Sequence, residues 1–224
     1  MKRVLVGIVL GLTVALSGYS FMAYTADWGL IREVTYSIGD ETSDICSATK
    51  IDPTHLLTAA HCVGPDETVI VRNGDDVVGH AKTVKRTAMA DLALLEILDG
   101  VEGAYAPVAS LEALQDEEVV LAGYPLDVGE VLTTGFVQGP RYRSFTNGEE
   151  TIVTKFTLVT SPGTYGNSGG GLFVYRFYTG WQLVGVCSAM AMQPVYTDFG
   201  YGSAPYNNTI YTVSQTEIVK FLTP

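Results

Sequence analysis

The stretch Tyr165-Gly166-Asn167-Ser168-Gly169-Gly170-Gly171 decides how this sequence is interpreted. One serine stands among glycines, which permit a tight backbone whose N–H groups at Gly166 and Ser168 can point at one position. Two such donors can hold the negative oxygen of a tetrahedral intermediate, and Ser168 can act as a nucleophile if a base lies nearby. A phosphate-binding loop is the alternative. No lysine follows the glycines, however, and strand-like apolar runs flank them rather than a helix.

Two stretches upstream supply a candidate base and a candidate carboxylate to orient it. The first is Leu57-Thr58-Ala59-Ala60-His61-Cys62, where small residues before the histidine let neighbouring chains approach the imidazole. The second begins at Asp91 and continues in the apolar run of residues 92–98. An aspartate before a strand is often only a turn residue. A buried carboxylate there would instead accept a hydrogen bond from an imidazole and hold its tautomer.

The motifs TAAHC, DLALLEI and GNSGGG, in this order, resemble those of the trypsin/chymotrypsin-like serine peptidases. The resemblance covers about residues 30–224 and implies an all-β fold of two six-stranded antiparallel barrels with a C-terminal helix. It implies an N-barrel at about residues 30–115 and a C-barrel at about residues 116–224. The resemblance makes His61, Asp91 and Ser168 the catalytic residues, and makes the N–H groups of Gly166 and Ser168 the oxyanion hole.

The residue before the serine indicates a branch of this family. Trypsins made as zymogens carry an aspartate there, which pairs with a new N-terminal ammonium, whereas this chain has Asn167. The GNSGG form is similar to that of bacterial and viral members and of the HtrA-like branch. Because the sequence ends at Pro224, no PDZ domain is expected to follow.

Three cysteines, at 46, 62 and 187, are an odd count, which in an exported chain suggests one bridge and one leftover thiol. Cys46 precedes Cys62 by 16 positions, the spacing of this family's disulfide beside the histidine. The resemblance therefore implies a Cys46–Cys62 bond. The alternative is that all three are free and buried as small apolar residues.

The resemblance also places a specificity pocket. Its base falls near Pro162, and its walls involve Ser188, Ala189, Met190 and Thr209. The pocket base lacks the aspartate that binds Arg or Lys, and Cys187 stands where glutamate-specific members have a histidine. We therefore expect a preference for small or medium apolar side chains, unless Asp198 of a variable loop enters the pocket.

Short apolar runs separated by turn signals continue along the rest of the chain. Hairpins are predicted at three dipeptides: Asn73-Gly74, Asn147-Gly148 and Thr179-Gly180. The run of residues 131–137 is predicted to end at Gln138-Gly139-Pro140, with a separate strand after it. A final helix is predicted with Ser214 or Thr216 as its cap and with Ile218, Val219 and Leu222 as its apolar face.

The N-terminus carries a targeting pattern. Lys2 and Arg3 precede an apolar run of residues 4–16, and Ala15-Leu16-Ser17 offers a cleavage-like site. Residues 1–25 are thus a signal peptide, or residues 4–24 are an uncleaved membrane anchor. In either case residues 26–224 leave the cytoplasm and are secreted, periplasmic or otherwise extracellular.

Charge and composition exclude other classes of function. The net charge of −11 repels phosphate backbones, so nucleic acid is not an expected partner. Three widely separated histidines do not indicate a metal site, and no cofactor is expected. The predicted function is a serine endopeptidase acting on proteins or peptides. The alternatives are a catalytically silent binding module, a serine esterase or, on the N-terminal run alone, a membrane-surface structural protein.

Overall fold

The computed structural model describes residues 27–42, 44–147, 150–197 and 200–224. The predicted signal peptide or anchor lies outside these residues, as do Asp198 and Gly148. Within the described ranges, no helix is both long enough and apolar enough to cross a membrane.

The first barrel consists of six antiparallel strands that follow a short helix, α1 (Gly29–Val34), which was not predicted. The strands are β1 (Thr35–Gly39), β2 (Asp44–Asp52), β3 (His55–Thr58), β4 (Thr68–Asn73), β5 (Asp76–Thr87) and β6 (Leu92–Asp99). Their order is β1-β2-β3-β6-β5-β4, and the barrel closes because β1 pairs with β4. The predicted turn at Asn73-Gly74 joins β4 to β5.

The second barrel repeats this arrangement. Its strands are β7 (Glu118–Gly123), β8 (Val131–Asn147), β9 (Glu150–Thr160), β10 (Gly171–Arg176), β11 (Gly180–Thr197) and β12 (Gly200–Ser214). Their order is β10-β11-β12-β9-β8-β7, and β7 pairs with β10 to close the ring. The prediction of an all-β fold with two antiparallel barrels is confirmed.

The long strand β8 corrects one prediction. The expected break at Gln138-Gly139-Pro140 is instead an irregularity between Val137 and Gly139, after which pairing with β9 continues. Gly139 adopts φ +126, a conformation that glycine reaches easily and other residues rarely. A bulge of this kind bends a strand without ending it.

The C-terminal helix α2 (Gln215–Leu222) is present, and Ser214 rather than Thr216 caps it. The hydroxyl of Ser214 accepts a hydrogen bond from the N–H of Glu217 at 3.4 Å. Ile218 is fully buried and Phe221 is 7% exposed, whereas Val219 is 42% exposed. The predicted apolar face was therefore wrong at Val219, whose place in the core is taken by Phe221.

One buried apolar cluster spans both barrels and fixes how they sit together. It includes Leu57 and Leu92 of the first barrel, Val120 and Phe173 of the second, and Ile218 of α2. Because a continuous core resists sliding of its parts, groups from both barrels are held in register where the barrels meet. The predicted catalytic residues lie at this meeting point.

Candidate active site

His61 lies in a 3₁₀ turn, Ala60–Cys62, directly after β3. The predicted disulfide is confirmed: Cys62 is bonded to Cys46 of β2, with their Cα atoms 5.9 Å apart. On the other side of the turn, Nε of Arg86 donates to the carbonyl oxygens of Ala60 and Val63, both at 2.9 Å. The turn is thus tied to β2 and β5, which limits the movement of the histidine between them.

Asp91, directly before β6, contacts the same histidine. Nδ1 of His61 lies 2.9 Å from Oδ2 of Asp91, and the backbone N–H of His61 donates to Oδ1 at 3.0 Å. Asp91 itself adopts φ +53, which aspartate tolerates better than most residues. With the Nδ1 proton directed at the carboxylate, Nε2 of a neutral imidazole is left as a proton acceptor.

Ser188 of β11 completes the surroundings of the carboxylate. Its hydroxyl donates to Oδ2 of Asp91 at 2.5 Å, and the residue is 8% exposed. From sequence, Ser188 was predicted only as a wall of the specificity pocket. Nothing in the local sequence indicated the contact with Asp91, because the two residues are 97 positions apart.

These contacts set the protonation of the pair. Burial raises the pKa of Asp91, but hydrogen bonds from His61 and Ser188 outweigh it and bring the pKa below 3.8. The pKa of His61 is raised above 6.5, chiefly by its hydrogen bond to Asp91. Desolvation and the positive charge of Arg86 oppose that increase. The carboxylate therefore stays charged at neutral pH and stabilises an imidazolium whenever His61 takes a proton.

The segment of residues 166–170, which we call the serine loop, is docked on the first barrel. Ser47 of β2 makes two bonds to it: its N–H donates to the Ser168 carbonyl at 2.8 Å and its hydroxyl donates to the Gly166 carbonyl at 2.7 Å. Gly169 packs so tightly that a Cβ atom there would lie 2.1 Å from Oγ1 of Thr58. Since Thr58 is three residues before His61, this docking brings Ser168 next to the histidine turn.

The serine loop leaves two backbone donors available. The carbonyl of Tyr165 accepts a hydrogen bond from the N–H of Leu126 at 2.9 Å, so the N–H of Gly166, in the same trans peptide, points the opposite way. In the described part of the chain, neither this N–H nor that of Ser168 donates to the protein. The hydroxyl of Ser168 likewise makes no hydrogen bond with any described residue. Leu126 adopts φ +51, a strained conformation for leucine that sequence reasoning missed.

The remaining predicted pocket residues come from three neighbouring segments, which are β11, β12 and the stretch after β9. Met190 and Ala189 pair with Ile210 and Tyr211 on β12, which places Thr209 one residue from the partner of Met190. Met190 packs against the core of the second barrel. Pro162 follows β9, and its carbonyl accepts from the Thr133 hydroxyl at 2.9 Å. The side chains that these residues contribute are apolar, apart from the hydroxyl of Thr209.

None of the three cysteines is available as a thiolate ligand or nucleophile. Cys46, Cys62 and His61 form a cluster of potential metal ligands within 4.8 Å, but both sulfurs are already joined in the disulfide. A metal binds the thiolate form, so this cluster does not fit one. Cys187 is free and buried, and burial, with the charge of Asp91, raises its pKa to about 12. Its thiol is thus protonated at neutral pH.

More than half of the sequence matches a known family of protein domains. The trypsin-like peptidase domain matches residues 46–186. The active form of the Rv3671c protease from M. tuberculosis is 20% identical, with a TM-score of 0.68 over 86% of this chain and 80% of that chain. The MamO protease domain from Magnetospirillum magneticum is 18% identical, with a TM-score of 0.61 over 88% of this chain and 100% of that chain. The serine endoprotease from Yersinia pestis is 17% identical, with a TM-score of 0.60 over 85% and 63% of the two chains.

At these identities the solved structures show that the fold is shared. No curated protein sequence matches the chain. The family assignment therefore depends on the domain match, which covers more than half of the sequence and contains His61, Asp91 and Ser168. The chain belongs to the trypsin-like peptidase family and is a serine-type peptidase that acts on proteins or peptides.

Proposed function

We propose that Ser168, His61 and Asp91 act as a catalytic triad that cleaves peptide bonds through an acyl-enzyme. The observation that carries the proposal is the contact of Nδ1 of His61 with the Asp91 carboxylate at 2.9 Å, beside a docked serine loop. This contact keeps the proton on Nδ1 and leaves Nε2 free to act as the base. A serine hydroxyl without such a base is a weak nucleophile.

The reaction follows from these positions. Ser168 Oγ attacks the scissile carbonyl while His61 takes its proton, and a tetrahedral intermediate forms. His61 then gives the proton to the leaving amine, the C–N bond breaks, and the acyl group stays on Ser168. Water repeats the sequence and releases the acid. Asp91 remains ionised throughout and compensates the charge of the imidazolium.

The oxyanion is assigned to the N–H groups of Gly166 and Ser168. Neither N–H donates a hydrogen bond to a described residue. The hydrogen bond from the Leu126 N–H to the Tyr165 carbonyl supports the proposed orientation of the Gly166 N–H. A preorganised donor of this kind is worth about 10²–10³ in kcat. Loss of either donor should therefore lower kcat by a factor of about this size.

The pocket supports a preference for small or medium apolar side chains at the residue before the cleaved bond. Its predicted lining offers Met190, Ala189 and Pro162, and a positively charged substrate group would find no carboxylate among them. A peptide-library cleavage profile tests this preference. A profile dominated by Arg, Lys or Glu would overturn it.

The experiment that tests the triad is active-site labelling of the full chain by a fluorophosphonate probe, with casein hydrolysis followed in parallel. Ser168→Ala should abolish both signals, whereas Ser110→Ala, a change at an exposed serine, should leave both intact. Labelling without proteolysis of casein or peptides would favour an esterase. No labelling of a folded chain would favour the silent binding module.

Export of the chain is part of the same proposal. It is supported by the charged and apolar pattern of residues 1–25 in the sequence. N-terminal sequencing of the protein recovered from cell fractions would distinguish a cleaved signal peptide from an uncleaved membrane anchor. A start near residue 18 would indicate a cleaved signal peptide, and an intact N-terminus in the membrane fraction would indicate an anchor.

A further inference from the structure

Arg143 of β8 is held over two aromatic rings. Its guanidinium carbon lies 5.4 Å from the ring centroid of Phe156 on β9 and 5.4 Å from that of Tyr211 on β12. Phe156 is 1% exposed and belongs to the core that spans both barrels, and Tyr211 packs against that core. The two ring faces attract the cation and restrict the positions of a flexible side chain. The fold therefore sets where this charge lies.

The guanidinium of Arg143 has no anionic partner among the described residues. The other Lys and Arg side chains of the described ranges contact acids or backbone carbonyls, as Lys155 contacts Glu112. Arg143 is exposed and makes neither an ion pair nor a hydrogen bond with any described residue. A guanidinium carries its N–H donors in a planar fork that fits a carboxylate. Stacking on the rings uses the face of the group and leaves the donors at its edge available.

The hairpin of β8 and β9 contacts the segment that leads to Asp91. Arg143 pairs with Thr154 of β9, and the Thr154 hydroxyl donates to the carbonyl of Met89 in the first barrel at 3.1 Å. Met89 is two residues before Asp91. Side chains of directly opposed residues lie on the same face of a sheet. Arg143 therefore projects from the face that meets the first barrel beside the active site.

A second contact places the same charge near the specificity pocket. Tyr211, one of the two rings under the guanidinium, pairs with Ala189 of β11. Ala189 is a predicted wall of the pocket for the residue before the cleaved bond. It follows Ser188, whose hydroxyl donates to Asp91. The two contacts together put Arg143 at the edge of the cleft, on the side that receives the residues before the cleaved bond.

We propose that Arg143 determines specificity by binding the carboxylate of a glutamate or aspartate that lies two to four residues before the cleaved bond. The inference rests on the proposed function. The guanidinium lies one strand and one ring away from Ala189, a separation on the order of 10 Å, and an extended chain advances about 3.3 Å per residue. Three residues cover that separation, and one residue on either side accounts for the length of the acidic side chain.

The recognition acts at short range and selects a carboxylate. The net charge of −11 repels an acidic peptide at a distance, so the preference comes from charge-assisted hydrogen bonds with the guanidinium itself. A glutamine has the length of a glutamate without its charge, and a lysine is repelled. The substrate class is therefore a polypeptide that carries an acidic residue shortly before a small or apolar residue at the cleaved bond.

Pairs of peptides that differ only by glutamate or glutamine at one of these three positions test the inference. In at least one pair, kcat/KM for the glutamate peptide should be about 3- to 10-fold higher. Arg143→Gln should bring this ratio to about one. Arg143→Glu should invert it and create a preference for lysine at the same position, a gain that a loss of structure would not produce. Lys82→Gln, an equal change of charge at an exposed site on β5, should keep the wild-type ratio.

Binding of the same peptides, labelled for fluorescence anisotropy, to full-length Ser168→Ala separates this inference from the proposed function. The Kd should be lower for the glutamate peptide, and the double variant Ser168→Ala/Arg143→Gln should lose the difference. Ser168-dependent cleavage with a ratio near one at all three positions would overturn the inference and leave the triad standing. A ratio that persists in Arg143→Gln would also overturn it. Discrimination in binding without hydrolysis by the wild type would support Arg143 and overturn the triad.

Discussion

Loss of the Cys46–Cys62 disulfide should lower the stability of the protein by about 3 kcal/mol. The bridge closes a loop with a sequence separation of 16, and the chain-entropy relation gives ~3 kcal/mol at room temperature for a loop of that length. A domain of this size loses about 2–4 °C in melting temperature for each kcal/mol. The double variant Cys46→Ala/Cys62→Ala should therefore melt about 6–12 °C below the wild type.

Thermal unfolding followed by circular dichroism, with and without a reducing agent, measures this effect. Reduction should lower the melting temperature of the wild type towards that of the double variant and leave the double variant unchanged, because Cys187 is unpaired. At temperatures well below the transition, kcat/KM should fall less than about tenfold. The reason is that Arg86 and Asp91 still hold the turn of His61.

Two results would refute this reasoning. A decrease in melting temperature of less than about 2 °C would mean that the bridge does not act through loop closure in the unfolded chain. Loss of all activity in a double variant that is still folded would mean that the disulfide, rather than the hydrogen bonds, positions the histidine.

Four further predictions concern the active site. Because a protonated imidazole cannot accept a proton, kcat/KM should fall as the pH drops through the pKa of His61, which lies above 6.5. The variant Asp91→Asn should lower kcat by about 10³–10⁴, and an unchanged kcat would remove Asp91 from the mechanism. Arg86→Met removes a positive charge that lowers the pKa of His61, so the acid limb of the pH–rate profile should move to higher pH, while Arg86→Lys should hold it near its original position. Gly169→Ala, at φ +82, puts a Cβ 2.1 Å from the backbone oxygen of Ser47 and should abolish activity or folding. The control Gly180→Ala, at φ +72 with open space around it, should lower the free energy of unfolding in chemical denaturation by only about 1–2 kcal/mol. Equal effects of the two variants would contradict the packing of the serine loop.

The residues proposed to be catalytic could be recognised as candidates without a structure. His61, Asp91 and Ser168 each lie in a short sequence motif. These motifs can be recognised because the proposed chemistry requires particular residue types next to small or apolar neighbours. The strands were similarly visible, since a half-buried strand alternates with a period of two, as at Val69 and Val71 in β4. These signals are local and need no knowledge of which strands become neighbours.

Elements whose bounds depend on packing were predicted less well. The sequence predicted two strands where β8 bends at Gly139, because a glycine that ends a strand and one that bends it look alike locally. It also assigned Val219 to the buried face of α2, where the barrels instead cover Phe221. In both places the neighbouring elements decided the outcome.

The sequence by itself determined the fold class, most of the strands and the residues proposed to carry the chemistry. Only the tertiary structure decided that the hydroxyl of Ser188 donates to Asp91 and that Arg86 holds the histidine turn. The physical reason is that each of these features is a contact between segments far apart in the chain. Such features are set by barrel closure and strand register, which no single stretch of the sequence contains.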